Sequence, residues 1–393
     1  MEDNGKGKVC VIREGGNSAQ SDQSFSSVKC PRNSGSTRVW LGLYVNIFGL
    51  NISYLMQDKK HFHFISDFGK SELPDQSELS QITEAGERIL FVLDSSVCLD
   101  IVSLVRDGQS SGADKIKIFN LIEYVQKNKI DWTPIFALIE SCYDRATLVL
   151  KPDKLFDYKN KIDFAFEYPV KLLKKFQYDF GVNYKVLTQP KIEQTSIAII
   201  INERIKIHYA ALLKIYQISL TGLSRESAER NIEAFVNWMV NDLDILLGIE
   251  YRLALNIFGG DPNFRSMLKL GSSKEKCLKV CWGTAWDLFH ARVSCNRDQL
   301  SSMIGGKVRP IFVTKDGRLF ELLAPQIDTY FKYNSSKISI SINSDYPKNY
   351  SDVFMNFLNK RMEDLRRERM HKSAEITQQK LDQIILDLEK SIN

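Results

Sequence analysis

The chain starts with a polar segment, and short apolar runs separated by polar turns follow it. Residues 1–37 are rich in Ser, Gly, Asn and Gln. They bury too little apolar surface to offset the entropy of ordering, so we expect a flexible tail. The short β-branched and aromatic segments from Val39 to Ile65 then predict a small antiparallel meander. Together with a Ser-, Glu- and Pro-rich connector, this N-terminal β element occupies residues 38–87.

An alternation of apolar strands and helices begins at residue 88. The continuous apolar run Ile89–Leu93 ends at Asp94 and is typical of a strand buried on both faces of a parallel sheet. Helical patterns follow near Ser95–Val105 and Asp114–Lys127. The segment Asp131–Glu140 reads as a short strand or turn that leads into a helix. Alternating strands and helices are the pattern of an α/β sheet.

The alternation resumes after a long interruption. Residues 151–275 show helical periodicity, as in Ile205–Ile218 and Ser224–Leu255, and predict a mainly helical insertion. Lys276–Arg292 then predicts a helix, and the apolar strand that starts at Pro310 runs up to Asp316. We therefore predict an α/β fold in which residues 88–150 and 276–323 form one domain, a parallel sheet flanked by helices.

The C-terminal region, residues 324–393, is predicted to hold short strand-like pieces and then one long helix from Ser351 onward. Apolar residues recur at helical spacing near its end, at Leu381, Ile384, Ile385, Leu388 and Ile392. This stripe makes the helix a candidate for self-association, and either it or the insertion is a candidate site for a regulatory protein. The basic run Lys360–Lys372 is interleaved with acids and is interpreted as a solvated helix face.

The composition limits the class of protein but does not indicate a particular binding partner. The formal net charge is +5, from 53 basic and 48 acidic residues, which is too balanced to indicate nucleic acid by itself. No run reaches the roughly 18 apolar residues of a membrane span, and the N-terminus lacks the apolar core of a signal peptide. Several of the seven cysteines lie in apolar runs, as buried thiols do. We expect a cytoplasmic protein of more than one module, with no membrane partner.

Four acidic residues occupy positions where the pattern predicts the edge of a sheet. Asp94 and Asp316 each follow an apolar strand, and ligands bind at the carboxyl ends of strands in open α/β sheets. Glu140 and Asp287 lie in apolar helical segments, where an unpaired carboxylate is costly and a cation would relieve that cost. Any one of these acids has an alternative role as a helix cap or turn residue. Asp144 is an alternative to Glu140.

The order and flanks of these acids resemble the PIN-domain ribonuclease family, in the manner of a toxin-like or defence-type member with a large helical insertion. The motifs are Phe91-Val-Leu-Asp94-Ser-Ser96, Trp132-Thr-Pro-Ile-Phe-Ala-Leu-Ile-Glu140, Ala285-Trp-Asp287-Leu-Phe-His-Ala291 and Ile311-Phe-Val-Thr314-Lys-Asp316. They fall within residues 88–150 and 276–323, and Glu140 and Asp287 are 147 positions apart, farther than in compact members. The tail, the meander, the insertion and the C-terminal helix have no counterpart in the resemblance.

The resemblance implies a PIN-like parallel sheet flanked by helices and a metal-dependent active site. In it Asp94, Glu140, Asp287 and Asp316 are the catalytic metal ligands. They would hold one or two Mg²⁺ or Mn²⁺ ions, which prefer oxygen donors. Ser96 and Thr314 would help to position a ligating group or a water molecule.

Further side chains near the acids have both a functional and a structural interpretation. Cations that would bind a phosphate backbone if they cluster, or else form a solvated rim, are Arg292, Lys307, Arg309, Lys315 and Arg318. His290 lies three residues past Asp287 and either faces the site or packs against the sheet; the second interpretation is favoured. His61 and His63 share one face of a strand, but no third ligand lies nearby in sequence.

Three hypotheses about function follow. The first is a metal-dependent endoribonuclease that hydrolyses RNA phosphodiester bonds, with a role as a bacterial toxin or phage-defence effector. The second is a structure- or strand-selective DNA nuclease with the same metal site. The third is a catalytically silent scaffold that keeps the acids for structural reasons and binds a protein partner through the insertion or the C-terminal helix.

Overall fold

A computed structural model describes residues 62–66, 73–107, 112–144, 149–174, 204–294, 296–323, 332–334, 337–339, 349–369 and 376–392. The tail at 1–37 and most of the expected meander lie outside these residues. The described part combines a small sheet of mostly parallel strands with many flanking helices, which confirms the α/β class in outline. Within those same ranges, no helix is long and apolar enough to cross a membrane.

Strands and helices alternate through the first part of the chain. In order they are β1 (His63–Ser66), α1 (Gln76–Glu84), β2 (Arg88–Leu93), α2 (Ser95–Asp107), α3 (Gly112–Asn128), β3 (Asp131–Thr133), α4 (Ile135–Cys142), β4 (Tyr143–Asp144) and β5 (Val149–Leu150). The predicted strand before Asp94 and the helices after it are therefore present, with ends that differ by a few residues.

Helices dominate the rest of the chain. They are α5 (Pro152–Glu167), α6 (Val170–Leu173), α7 (Lys206–Ser219), a 3-10 turn (Arg225–Ser227), α8 (Ala228–Trp238), a π-helical segment (Met239–Leu243), α9 (Gly248–Phe258), α10 (Pro262–Met267), α11 (Lys274–Ser294) and α12 (Arg297–Ile304). The remaining elements are β6 (Val308–Thr314), α13 (Gly317–Leu323), β7 (Lys332–Asn334), β8 (Lys337–Ser339), α14 (Asp352–Arg369) and α15 (Gln378–Ser391).

The main sheet has the strand order β1-β6-β2-β3, and β6, β2 and β3 run parallel. Strand β2 is buried at every residue after Arg88, as expected for an apolar run that is covered on both faces. Leu93 pairs with Val313, so β2 and β6 end at the same level. The sequence pattern assigned His63–Ser66 to a separate meander. Instead β1 is the antiparallel edge strand of the main sheet, with Ile65 in the core.

Helix α5 lies at the start of the predicted helical insertion, residues 151–275, and contacts elements of the predicted sheet domain. Helix α5 packs across α2 and α4, and the Phe166 ring stacks on Trp132 of β3 with centroids 4.7 Å apart. Residues 152–167 therefore pack against two helices that flank the sheet and against its edge strand β3. The single helix expected over Ser224–Leu255 is interrupted, because the π-helical segment ends at Asp244 in a left-handed conformation (φ 55°).

The long C-terminal helix expected from Ser351 is two helices. Thr377 has an extended backbone, and its hydroxyl accepts a hydrogen bond from the Lys380 N–H, so α15 begins anew there. The apolar stripe of α15 lies against α7, with Leu381 and Leu388 buried. The chain's own α7 thus covers the face that was predicted to mediate self-association.

Candidate metal centre

Asp94 lies between β2 and α2, and its carboxylate is buried (3% exposed). Its Oδ1 accepts a hydrogen bond from the Ser95 N–H at 2.8 Å. Its Oδ2 accepts from the Ser96 hydroxyl at 2.7 Å and from the Thr314 hydroxyl at 2.8 Å. Donors from α2 and β6 thus fix this carboxylate in one orientation, and the two expected supporting residues, Ser96 and Thr314, both contact it.

Asp316 follows β6 and is joined to Asp94 through Thr314. The Asp316 N–H donates to the Thr314 hydroxyl at 3.1 Å, and that hydroxyl in turn donates to Asp94. The Asp316 carboxylate accepts from the N–H groups of Arg318 (2.8 Å) and Leu319 (3.2 Å) at the start of α13. The Arg318 guanidinium also contacts it at 3.3 Å. Asp316 therefore caps a helix and has a counter-charge of its own.

Glu140 reaches the same place from α4. Its Oε2 accepts a hydrogen bond from the Ser95 hydroxyl, so Ser95 contacts Asp94 through its backbone and Glu140 through its side chain. Burial raises the pKa of Glu140, and the nearby Asp94 charge raises it further. The alternative acid, Asp144, forms an ion pair with Lys151 at 2.8 Å instead.

Asp287 lies on α11, within electrostatic reach of the other three acids. Burial raises its pKa well above the ordinary value, and the charges of Asp94, Glu140 and Asp316 raise it further. Arg318 lowers it, but not enough to compensate. The charges of acids from three other segments therefore act on Asp287, and two of these acids, Asp94 and Asp316, follow the carboxyl ends of the parallel strands β2 and β6.

His290 lies one helical turn after Asp287 and faces the acids, so the favoured expectation that it packs against the sheet is wrong. Its ring is buried (1% exposed), and Nδ1 lies 3.5 Å from Asp94 Oδ1 and 3.7 Å from Glu140 Oε2. Burial alone would raise the pKa of Asp94; His290, Ser96 and Thr314 outweigh it and lower that pKa. His290 lies three residues after Asp287, which places the two side chains on one face of the helix. This spacing was the feature of the sequence that could have identified His290 as a site residue.

The five predicted phosphate-binding cations do not form one cluster. Arg292 is buried, and its guanidinium donates to Glu250 at 2.8 Å. Arg309 donates to Glu87 at 2.9 Å. Lys307 is exposed near the opposite end of β6 from Asp316. Because Arg292 and Arg309 neutralise carboxylates of the chain itself, the structure corrects their expected role to a structural one.

The remaining two cations line an open cleft beside Asp316. The cleft has a volume of about 500 Å³ and is lined by Ser96, Asn263, Lys315, Asp316, Gly317, Arg318 and Glu321. Lys315 forms an ion pair with Asp100, and Arg318 with Asp316. Asn263 comes from α10, so the helical region forms part of the wall. No pattern in the sequence pointed to this contribution.

Comparisons with family models, curated proteins and solved structures return no significant match. Among the described side chains, no three His, Cys, Asp or Glu residues already converge closely enough to hold a metal ion. Two observations nevertheless fit a cation. Burial and the charges of Asp94, Glu140 and Asp316 raise the pKa of Asp287, which Arg318 only partly offsets, and neither buried nitrogen of His290 makes a hydrogen bond to the described residues.

Proposed function

We propose that this protein is a metal-dependent endoribonuclease with a PIN-like site formed by Asp94, Glu140, Asp287 and Asp316. The observation that carries the proposal is that Ser95 bridges Asp94 and Glu140, through its N–H and its hydroxyl. Burial and the charges of Asp94, Glu140 and Asp316 also raise the pKa of Asp287. Acids that stabilise only the fold are paired individually, as Glu250 is with Arg292. A group of acids that repel one another beside an open cleft is typical of a site that binds cations.

Each part of this site has a chemical task in phosphodiester hydrolysis. When bound, a divalent cation supplies Lewis acidity that neutralises charge on the scissile phosphate and favours deprotonation of the attacking water. Asp94 and Glu140, both oriented by Ser95, would hold the cation, and Asp287 would complete the group. Lys315 and Arg318 line the cleft and would contact the phosphates on either side.

RNA as the substrate, and a role in toxicity or phage defence, rest on the resemblance of the four motifs to the PIN-domain ribonucleases. The open, polar cleft suits an extended strand more than a small enclosed metabolite, which supports a polymeric substrate. Single-stranded and structured DNA are the alternative substrates with the same chemistry.

The test is a cleavage assay on the full chain with end-labelled RNA, single-stranded DNA and branched DNA. We expect RNA to be cut with Mn²⁺ or Mg²⁺ and to remain intact with a chelator. Asp287→Asn should reduce cleavage to the level of the chelator control. Asp144→Asn, which changes an acid paired with Lys151 outside the site, should cleave like wild type. Intact RNA under every metal condition would refute the proposal, and cleavage of DNA alone would replace RNA as the substrate.

A second candidate function, a catalytically silent scaffold, is favoured by one observation. Asp316 caps α13 and pairs with Arg318, which is a sufficient structural reason for an acid at that position. Calorimetric titration with Mn²⁺ separates the candidates. A scaffold binds no ion at the site, and Asp94→Asn then changes neither the titration nor the binding of any protein partner.

A further inference from the structure

The imidazole of His290 is enclosed by aromatic rings on one side and acids on the other. Ring centroids of Phe136, Trp286 and Phe289 lie 6.3, 5.6 and 6.1 Å from that of His290. A buried polar ring ordinarily has hydrogen-bonding partners. Both nitrogens of this ring lack one among the described residues. The ring thus faces the carboxylates at ion-pair distance without a hydrogen bond to them.

Two carboxylate oxygens lie near the imidazole on that side. The Nδ1 of His290 lies 3.5 Å from Asp94 Oδ1 and 3.7 Å from Glu140 Oε2. Adjacent donors on an octahedral ion with bonds of about 2.1 Å are about 3 Å apart. A closure of roughly half an ångström at each of these two distances, within the reach of side-chain adjustment, would therefore let Nδ1 share one ion with either carboxylate.

We propose that Nδ1 of His290 is a direct metal ligand beside Asp94 and Glu140, and that the site consequently prefers Mn²⁺ or another first-row transition ion to Mg²⁺. The cause is ligand chemistry: imidazole nitrogen suits transition ions, whereas Mg²⁺ takes oxygen donors and water. The proposal deepens the proposed nuclease site and rests on its carboxylates.

Within the part of the chain that the structure describes, neighbouring groups do not offer a better nitrogen or sulfur donor. Cys98 lies below the acids, but burial and the charges of Asp94 and Glu140 raise its pKa well above the ordinary value, so its thiolate is disfavoured. His63 is beside Thr314 on the sheet, where its ring stacks on Phe320 with centroids 4.6 Å apart. His290 is thus the imidazole that the fold directs at Asp94 and Glu140.

Pulsed electron paramagnetic resonance of Mn²⁺ bound to the full chain provides a direct test, because a coordinated imidazole nitrogen couples to the electron spin. We expect a nitrogen coupling that changes in the known isotopic ratio when the protein carries ¹⁵N-histidine. The coupling should disappear in His290→Gln and persist in the matched control His63→Gln. Calorimetry should show a tenfold or greater loss of Mn²⁺ affinity in His290→Gln and a much smaller change for Mg²⁺.

The outcomes distinguish this inference from the proposed function. Bound Mn²⁺ without a nitrogen coupling, a coupling that survives His290→Gln, or no Mn²⁺ binding at all would each overturn the inference. RNA cleavage with Mg²⁺ in the absence of any nitrogen coupling would leave the nuclease proposal standing. A nitrogen coupling in a protein that cuts no nucleic acid would support the metal ligand and overturn the nuclease.

Discussion

Ser95 joins two acids that come from different segments of the chain. Its N–H donates to Asp94 and its hydroxyl donates to Glu140, so it sets the spacing of two proposed ligands. Groups that orient metal ligands typically account for about 10- to 100-fold of metal affinity. We therefore expect Ser95→Ala to weaken Mn²⁺ binding by about that factor while the unfolding free energy changes little, because the backbone contact to Asp94 remains.

Titration calorimetry and chemical denaturation of the same preparations measure both quantities. The matched control is Ser80→Ala, which removes an exposed helix hydroxyl bonded to the Gln76 carbonyl and should leave metal affinity unchanged. Unaltered Mn²⁺ affinity in Ser95→Ala would mean that Ser95 does not set the spacing of Asp94 and Glu140.

Glu250 is a buried acid that serves the fold. Burial alone would raise its pKa, but Arg292 and His208 outweigh this and lower it from 4.5 to about 2. Its contacts are a 2.8 Å ion pair with Arg292 and a hydrogen bond to His208, whose own pKa burial holds below 6.5. The charged pair therefore links α7, α9 and α11.

The lowered pKa gives a stability prediction with a definite sign. A carboxyl with a lower pKa in the folded chain stabilises the fold above its unfolded pKa, and this contribution is lost as pH falls. Glu250→Gln should therefore reduce the unfolding free energy by about 3 kcal/mol at pH 7, because it removes the carboxylate charge that faces the buried Arg292 guanidinium. The difference from wild type should shrink as the pH falls from 4.5 towards 2.

Urea denaturation across this pH range provides the measurement. Glu363→Gln is the control, since Glu363 forms an exposed ion pair with Arg367 one helical turn away and should cost little at any pH. A pH-independent cost of Glu250→Gln would contradict the lowered pKa.

The sequence predicted the strand-end acids better than their partners. Asp94 and Asp316 follow continuous apolar runs, and such runs form the parallel strands β2 and β6 for a general reason. Ser95 was missed, and His290 was assigned to packing against the sheet, because the role of each depends on which atoms face it across the fold. Arg292 was assigned to the rim because a sequence does not reveal that Glu250, 42 positions earlier, lies against it.

At the level of elements, the docking of α15 on α7 gives a stability prediction. Leu388 is buried in this contact (5% exposed), and Leu386, on the same helix, is 44% exposed. Leu388→Ala should lower the unfolding free energy by about 2 kcal/mol or more, because it leaves a cavity between the helices. Leu386→Ala should change it by no more than about 0.5 kcal/mol. Thermal denaturation compares the two, and equal effects would contradict the packing of α15.

Helical periodicity predicted the apolar face of α15 but not what covers it or where the helix begins. Periodicity reports which residues avoid water, and the self-association partner was inferred because the covering α7 lies far away in sequence. The start of α15 depends on Thr377, a single capping residue inside a long helical pattern. The break at Asp244 was hidden in the same way, since only the backbone angle reveals it.

At the level of the whole molecule, α11 connects the helical region to the sheet. The Trp282 ring packs edge-on against Tyr209 of α7 with centroids 5.2 Å apart, and the same helix contacts β6 and carries Asp287 and His290. The proposed ligands therefore depend on both parts of the chain. If the helical region opened independently, α11 would lose its support. The site would then lose Asp287 and His290, which lie on α11.

This arrangement predicts that a bound cation stabilises the sheet and the helical region together. At a free Mn²⁺ concentration of about 100 times its Kd, the ion should add about 2.7 kcal/mol to the unfolding free energy. Calorimetric scans with Mn²⁺ and with chelator should each show one unfolding transition, and its midpoint temperature should be higher with Mn²⁺. Asp287→Asn should abolish the shift, and Asp144→Asn should retain it. A shift confined to one of two separate transitions would mean that the two parts unfold independently and that the ion reports on only one of them.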